Sequence, residues 1–134
     1  MGVPERSVSA RWTGGLRAEV DAGGFTVVAD EPESAGGSGT GPQPTELLLA
    51  SLASCFTLAI AYTARKRNVA LEKLEVDVTG RYEGLGFGGF TVVVRAAEPR
   101  GEDLDRLIAA ARQVCYVSRT LAGSPDMEVV AEDP

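Results

Sequence analysis

The chain of 134 residues contains no histidine. That absence removes Ser-His-Asp and Cys-His catalysis, imidazole proton shuttling and most transition-metal sites. Cysteine is scarce as well, with only Cys55 and Cys115. The two lie too far apart in sequence for a CxxC motif, and two thiols alone do not build a structural zinc site. Positive charge is short: 13 Lys and Arg against 19 Asp and Glu give a net charge of -6. A nucleic-acid partner is therefore not expected, because phosphate neutralisation needs clustered cations on one face. The one basic run, Arg65-Lys66-Arg67, reads as cations at a helix C-terminus. The first residues have no charged stretch followed by an apolar one, so no secretory leader is expected and the cytoplasm is the expected compartment. A disulfide formed there is transient and functional, since small thiols keep resting cysteines reduced.

The residues that are present fit one α+β domain over 1–134. Short runs at 7–12, 16–21 and 25–30, separated by Gly14-Gly15 and Gly23-Gly24, predict an antiparallel meander. Residues 31–43, rich in Gly, Ser and Pro, read as a flexible connection; no Lys-Ser/Thr follows the glycines, so a phosphate cradle is not expected. Pro44-Thr45-Glu46 opens a helix running to about Arg67, with Pro at a favoured first-turn position and Glu46 at the positive helix end. Leu47 to Ala64 is free of charge and apolar or small all round, the pattern of a buried central helix or a membrane span. Its serines, threonines and alanines, and the amphipathic elements elsewhere that need a core to cover, favour the buried helix. Alternation over 71–82 and a Val-rich stretch over 87–97 predict a hairpin turning at 84–89. Leu104, Leu107, Ile108, Ala111 and Cys115 recur at helical spacing over 102–115, and a final strand is expected over 127–131. The order is β-β-β-α-β-β-α-β. A chain this short buries a modest core, which makes self-association favourable.

Taken alone, Cys55 and Cys115 fit either two small buried hydrophobes or a reactive pair. Cys55 falls in the middle of the long apolar helix and Cys115 at the end of the second helix, so packing of the two helices brings a disulfide within reach. Ser51, one turn before Cys55, is a candidate hydrogen-bond donor to it.

The segment Gly41-Pro42-Gln43-Pro44-Thr45-Glu46-Leu47 through Ala53-Ser54-Cys55 resembles the start of the reactive-cysteine helix of the OsmC/Ohr family. Val114-Cys115-Tyr116-Val117-Ser118-Arg119-Thr120-Leu121 resembles that family's second motif, with Tyr116 where the family has Pro. Both motifs occur in the family's order, and the element order matches over Ser7 to Ala131. The resemblance, to a divergent branch, implies an intertwined homodimer with active sites at the subunit interface and a cysteine-based peroxidase cycle. Cys55 attacks an organic hydroperoxide, Cys115 closes a disulfide on the resulting sulfenate, and a dithiol reductant such as a dihydrolipoyl protein restores both thiols. It implies no metal, flavin or haem and no membrane. It also implies that Arg17, with Arg11 as the alternative cation, supports the Cys55 thiolate and that Glu46 orients the arginine. The rival expectation is a non-enzymatic module that keeps the fold's cavity for an apolar small molecule.

Overall fold

A computed structural model describes residues 4–134, whose contacts cluster into two compact units, Met1–Leu48 and Leu49–Pro134. In the first unit, strands β1 (Ser9–Trp12), β2 (Arg17–Ala22) and β3 (Phe25–Asp30) form an antiparallel meander in the order β1-β2-β3. Gly23 and Gly24 both hold positive φ, 58° and 85°, which the two-residue turn between β2 and β3 requires and which a side chain would strain. Arg11 of β1 ties the meander by pairing across to Asp21 of β2 at 2.7 Å, and Arg17 pairs along β2 with Glu19 at 2.7 Å.

The glycine-rich connection is not slack. Asp30 is 1% exposed, and its carboxylate gathers the loop by accepting from the Glu31 N–H (2.8 Å), the Ser38 N–H (3.3 Å), the Thr40 N–H (3.0 Å) and the Thr40 hydroxyl (2.6 Å). The Thr40 hydroxyl and N–H, together with the N–H groups of Ser38 and Glu31, outweigh burial and hold the Asp30 pKa at about 2. A side chain at Gly37 would collide with the Glu31 carbonyl oxygen, so glycine there is a packing requirement. The expected flexible connector is thus an ordered loop, because one buried carboxylate supplies the acceptors its free N–H groups need.

Helix α1 (Pro44–Lys66) begins as its sequence predicts. Glu46 accepts from the Gln43 N–H at 2.9 Å, which is half of a capping box. At its other end Asn68 adopts φ 55°, and the N–H groups of Asn68 and Val69 reach back to the carbonyls of Arg65 (3.2 Å) and Ala64 (2.9 Å). That is a Schellman stop with Asn in the left-handed position.

In the second unit, α1 supplies Phe56, Ala59, Ile60 and Ala64 to a core completed by Leu107, Ala111 and Cys115. Of the described helices, α1 is the one long and apolar enough to cross a membrane, and the face bearing these four residues is a core face. Strands β4 (Glu75–Glu83) and β5 (Gly86–Arg95) form an antiparallel hairpin whose Val76, Val92 and Val94 pack against that core. Outward-facing Asp77 and Glu75 meet Arg95 at 2.6 and 3.3 Å. Helix α2 (Gly101–Val114) lays its apolar stripe, with Leu107 and Ala111, on the same core.

Two features depart from the sequence reading. The second helix stops at Val114; Cys115 is extended (φ -86°, ψ 103°), and a short helix α3 (Tyr116–Leu121) follows. Residues 127–131 form no strand within the chain: Met127, Val129 and Val130 are 89, 87 and 72% exposed. An alternating segment becomes a strand only when a neighbouring backbone supplies its hydrogen bonds, and none does here.

Two tests follow from this packing. Ile60 is fully buried, so Ile60→Ala should cost about 2–5 kcal/mol in urea unfolding. Because the folded Asp30 pKa lies below the unfolded value of about 3.9, its carboxylate stabilises the fold above that pH and ceases to do so as pH falls towards about 2. Asp30→Asn should therefore be less stable than wild type at neutral pH, and the gap measured by unfolding across pH should close between about pH 4 and pH 2.

Candidate active site

Cys55 lies midway along α1, half-buried, on the wall of a groove of about 800 Å³ that Leu58, Tyr62, Val114, Tyr116 and Arg119 also line. Cys115 is fully buried behind it, in the core cluster against which Cys55 packs. The chain reaches this arrangement through the break after α2. An extended residue between two helices places its side chain over the next helix's first N–H groups, which have no partners within that helix. Cys115 occupies that position before α3, with the Ser118 hydroxyl donating to its carbonyl oxygen at 3.3 Å.

The two thiols alter each other's acidity in opposite senses. Burial pushes the Cys55 thiol up, and a hydrogen bond to Cys115 together with charge repulsion from it adds to the rise; the N–H groups of Val117 and Tyr116 act against it. Burial also acts to raise Cys115, but the Ser118 hydroxyl and N–H, the Cys55 thiol and the Val117 N–H outweigh it and bring Cys115 below the ordinary thiol range. No formed cap bond to the Cys115 side chain is present, so these N–H groups act as oriented dipoles facing the sulfur. The Ser118 hydroxyl donates its proton to the Cys115 carbonyl. Loss of the first proton thus belongs to the pair, and the groove leads solvent to Cys55.

The other residues singled out in the sequence have partners of their own. Arg17 donates to Glu19 (2.7 Å), to the Thr13 hydroxyl (2.8 Å) and, through Nε, to the Thr40 hydroxyl (3.1 Å). Since Thr40 in turn donates to Asp30, Arg17 is wired to the buried carboxylate of the loop. Glu46 is engaged at its helix start by the Gln43 N–H, and Arg11 by Asp21. The donors acting most strongly on the thiols come from Tyr116, Val117 and Ser118 rather than from Ser51. Sequence periodicity missed them because it carried α2 through Cys115. No local signal marked the new helix start, because its N-cap is Cys115 rather than Ser, Thr, Asp or Asn.

A second hollow, of about 500 Å³, adjoins the same elements and is lined by Leu52, Phe56, Phe90, Val92, Val94 and Ile108, with Arg112 and Ser118 as polar members. The family model described as OsmC-like protein matches residues 37–130, and the chain is a member of that family. Organic hydroperoxide resistance protein OhrB of Bacillus subtilis is 26% identical over 109 residues, covering 78% of this chain and 79% of the relative. The crystal structure of that OhrB aligns with a TM-score of 0.64 at 28% identity, over 89% of this chain and 91% of the other. An OsmC-like protein from Mycoplasma pneumoniae shares the fold with a TM-score of 0.76 at 18% identity, over 90% of this chain and 89% of that one.

Replacing Ser118 by Ala removes the strongest of the groups that favour a charged Cys115 sulfur. The pH at which thiolate first appears, followed by ultraviolet thiolate absorbance, should therefore move upward while both thiols remain titratable by a disulfide reagent.

Proposed function

We propose that this protein is a cysteine-based peroxidase that reduces organic hydroperoxides, with Cys55 as the attacking sulfur and Cys115 as the resolving one. The observation that carries the reading is the pairing of a groove-lining thiol with a buried thiol that alters its acidity. Peroxide in the groove meets Cys55 first. Its sulfur takes the terminal peroxide oxygen as the O–O bond breaks, leaving an alcohol and a sulfenic acid. Cys115 then displaces that oxygen as water and closes a disulfide. Membership of the family and similarity to a protein named for organic hydroperoxide resistance support the same chemistry. A dithiol, of which a dihydrolipoyl protein is one form, restores the thiols, and a cytoplasmic setting keeps them reduced between turnovers.

The functional unit in this proposal is a homodimer. Leu58 and Tyr62 of α1, 67 and 48% exposed, and the unpaired apolar tail at Met127, Val129 and Val130 are surfaces a second copy would cover. Arg17 and Glu46 enter through the family resemblance, as the cation that favours a Cys55 thiolate and the carboxylate that orients it. The apolar hollow beside β5 favours a second reading, a binding module for an apolar small molecule.

Treatment with one equivalent of an organic hydroperoxide, followed by intact and peptide mass measurement, separates the readings. The expected product is a Cys55–Cys115 disulfide reversed by dithiol; Cys115→Ser should instead accumulate sulfenic and then sulfinic acid at Cys55. Oxidation of Cys115 in Cys55→Ser at the wild-type rate would reverse the assignment, and no oxidation of either sulfur would leave the binding module. In the same assay Arg17→Met and Glu46→Gln should slow peroxide consumption at neutral pH, and a wild-type rate in either removes that residue from the proposal.

A further inference from the structure

The hollow beside β5 shares no lining residue with the groove in front of Cys55. Helix α1 gives Leu52 and Phe56 to the hollow and Cys55, Leu58 and Tyr62 to the groove, and α3 likewise divides Ser118 and Leu121 from Tyr116 and Arg119. The hollow is a recess rather than a flat face. Leu52 and Phe56 in its wall are only 3 and 4% exposed, and its volume of about 500 Å³ lies in the range of small-molecule sites. Val92, Val94 and Ile108 continue an apolar lining. Arg112 is the one charged residue in that lining, which holds no Asp or Glu, although the chain as a whole carries a net charge of -6. Its guanidinium has no hydrogen-bond or ion-pair partner among the described residues. Glu102 and Asp103 stand in the first turn of α2 and pair with Arg106, whereas the residues one turn before Arg112 are Ile108 and Ala109. A place in the last turn of α2 suits the helix dipole but leaves the guanidinium donors unspent. The Ser118 hydroxyl, the other polar side chain of the wall, already donates to the Cys115 carbonyl, so the free side-chain donors are those of Arg112.

We propose that this hollow is a binding site, separate from the thiols, for an aliphatic monocarboxylate: the alkyl chain lies against Leu52, Phe56, Val92 and Ile108, and the carboxylate sits on Arg112. This rests on the second reading above, whose ligand it names, and it holds whether or not the thiols reduce peroxide. A chain of methylenes matches a wall without polar side chains apart from Arg112 and Ser118, and burying it supplies the affinity. The planar guanidinium matches a carboxylate in charge and geometry. A single cation fits a head group of one negative charge; a phosphate monoester, with close to two, would be left half neutralised.

The probe is octanoate, titrated by calorimetry into the reduced full-length protein with no peroxide present. Binding should saturate, and affinity should rise about fourfold for each methylene added from hexanoate to octanoate. No saturable binding at millimolar octanoate, or an affinity indifferent to chain length, overturns the proposal. Arg112→Gln, a change at an exposed side chain, should weaken octanoate about tenfold, the lower end for a hydrogen bond to a charged group, and leave octanol unaffected. Octanol bound as well as octanoate by the wild-type protein would keep an apolar binding module and overturn the carboxylate. Arg119→Gln alters the groove in front of Cys55 and should leave octanoate binding at its wild-type strength; loss of binding there, with Arg112→Gln unaffected, puts the acid in the groove and overturns the proposal. Val92→Trp fills the hollow and should abolish binding of both probes, and retained binding overturns the assignment to this hollow. Should Val92→Trp fail to fold, the chain-length series and the two arginine variants decide. Failure of these tests leaves the peroxidase reading standing, because that is decided by oxidation of Cys55 and Cys115 in protein free of the acid.

Discussion

The interaction on which the site depends is the one between two thiols held at different depths. Burial raises the pKa of any thiol, so a reactive pair inside an apolar core needs something that favours the anion. This chain finds it in backbone geometry. Interrupting the second helix at Cys115 frees the N–H groups of the next turn, and those dipoles, with the Ser118 hydroxyl, face the buried sulfur. An uninterrupted helix through Cys115 would have consumed the same N–H groups in its own hydrogen bonds. The break is thus what sets those N–H groups beside Cys115.

The rest of the second unit serves that junction. Phe56, Ile60 and Ala64 on one side and Leu107 and Ala111 on the other lock α1 and α2 together around Cys115, and Val76, Val92 and Val94 of the hairpin close the layer. Because such packing is close to crystalline in density, it fixes the relative position of two sulfurs from distant parts of the sequence. The first unit has an organising charge of its own. Asp30 holds the loop of residues 31–41 through three N–H groups and a hydroxyl, and Thr40 links that carboxylate to Arg17. The arginine singled out for thiolate support is therefore part of a network whose other members are structural.

Much of this was legible in the sequence. The glycine pairs set the meander, Pro44 and Glu46 set the start of α1, and the alternation of valines set the inner face of the hairpin, all of them local signals of period and turn chemistry. The two cysteine motifs identified the family before any fold was known. Less legible were the order of the glycine-rich loop and the break at Cys115. Composition sees Gly, Ser and Pro as slack, whereas order there came from a carboxylate outside the run.

The sequence by itself determined the element types, the long apolar helix, the absence of histidine chemistry and the presence of only two thiols. These follow from residue identity and from spacings of a few positions, which act through local backbone sterics and burial. Tertiary structure alone decided that Met127 to Ala131 forms no strand within the chain, that Asp30 is ionised in a buried setting, and that Cys115 lies deeper than Cys55. Each of these is a matter of which distant groups supply hydrogen bonds and exclude water. Solvation and hydrogen bonding are set by three-dimensional neighbours, and no local pattern encodes them.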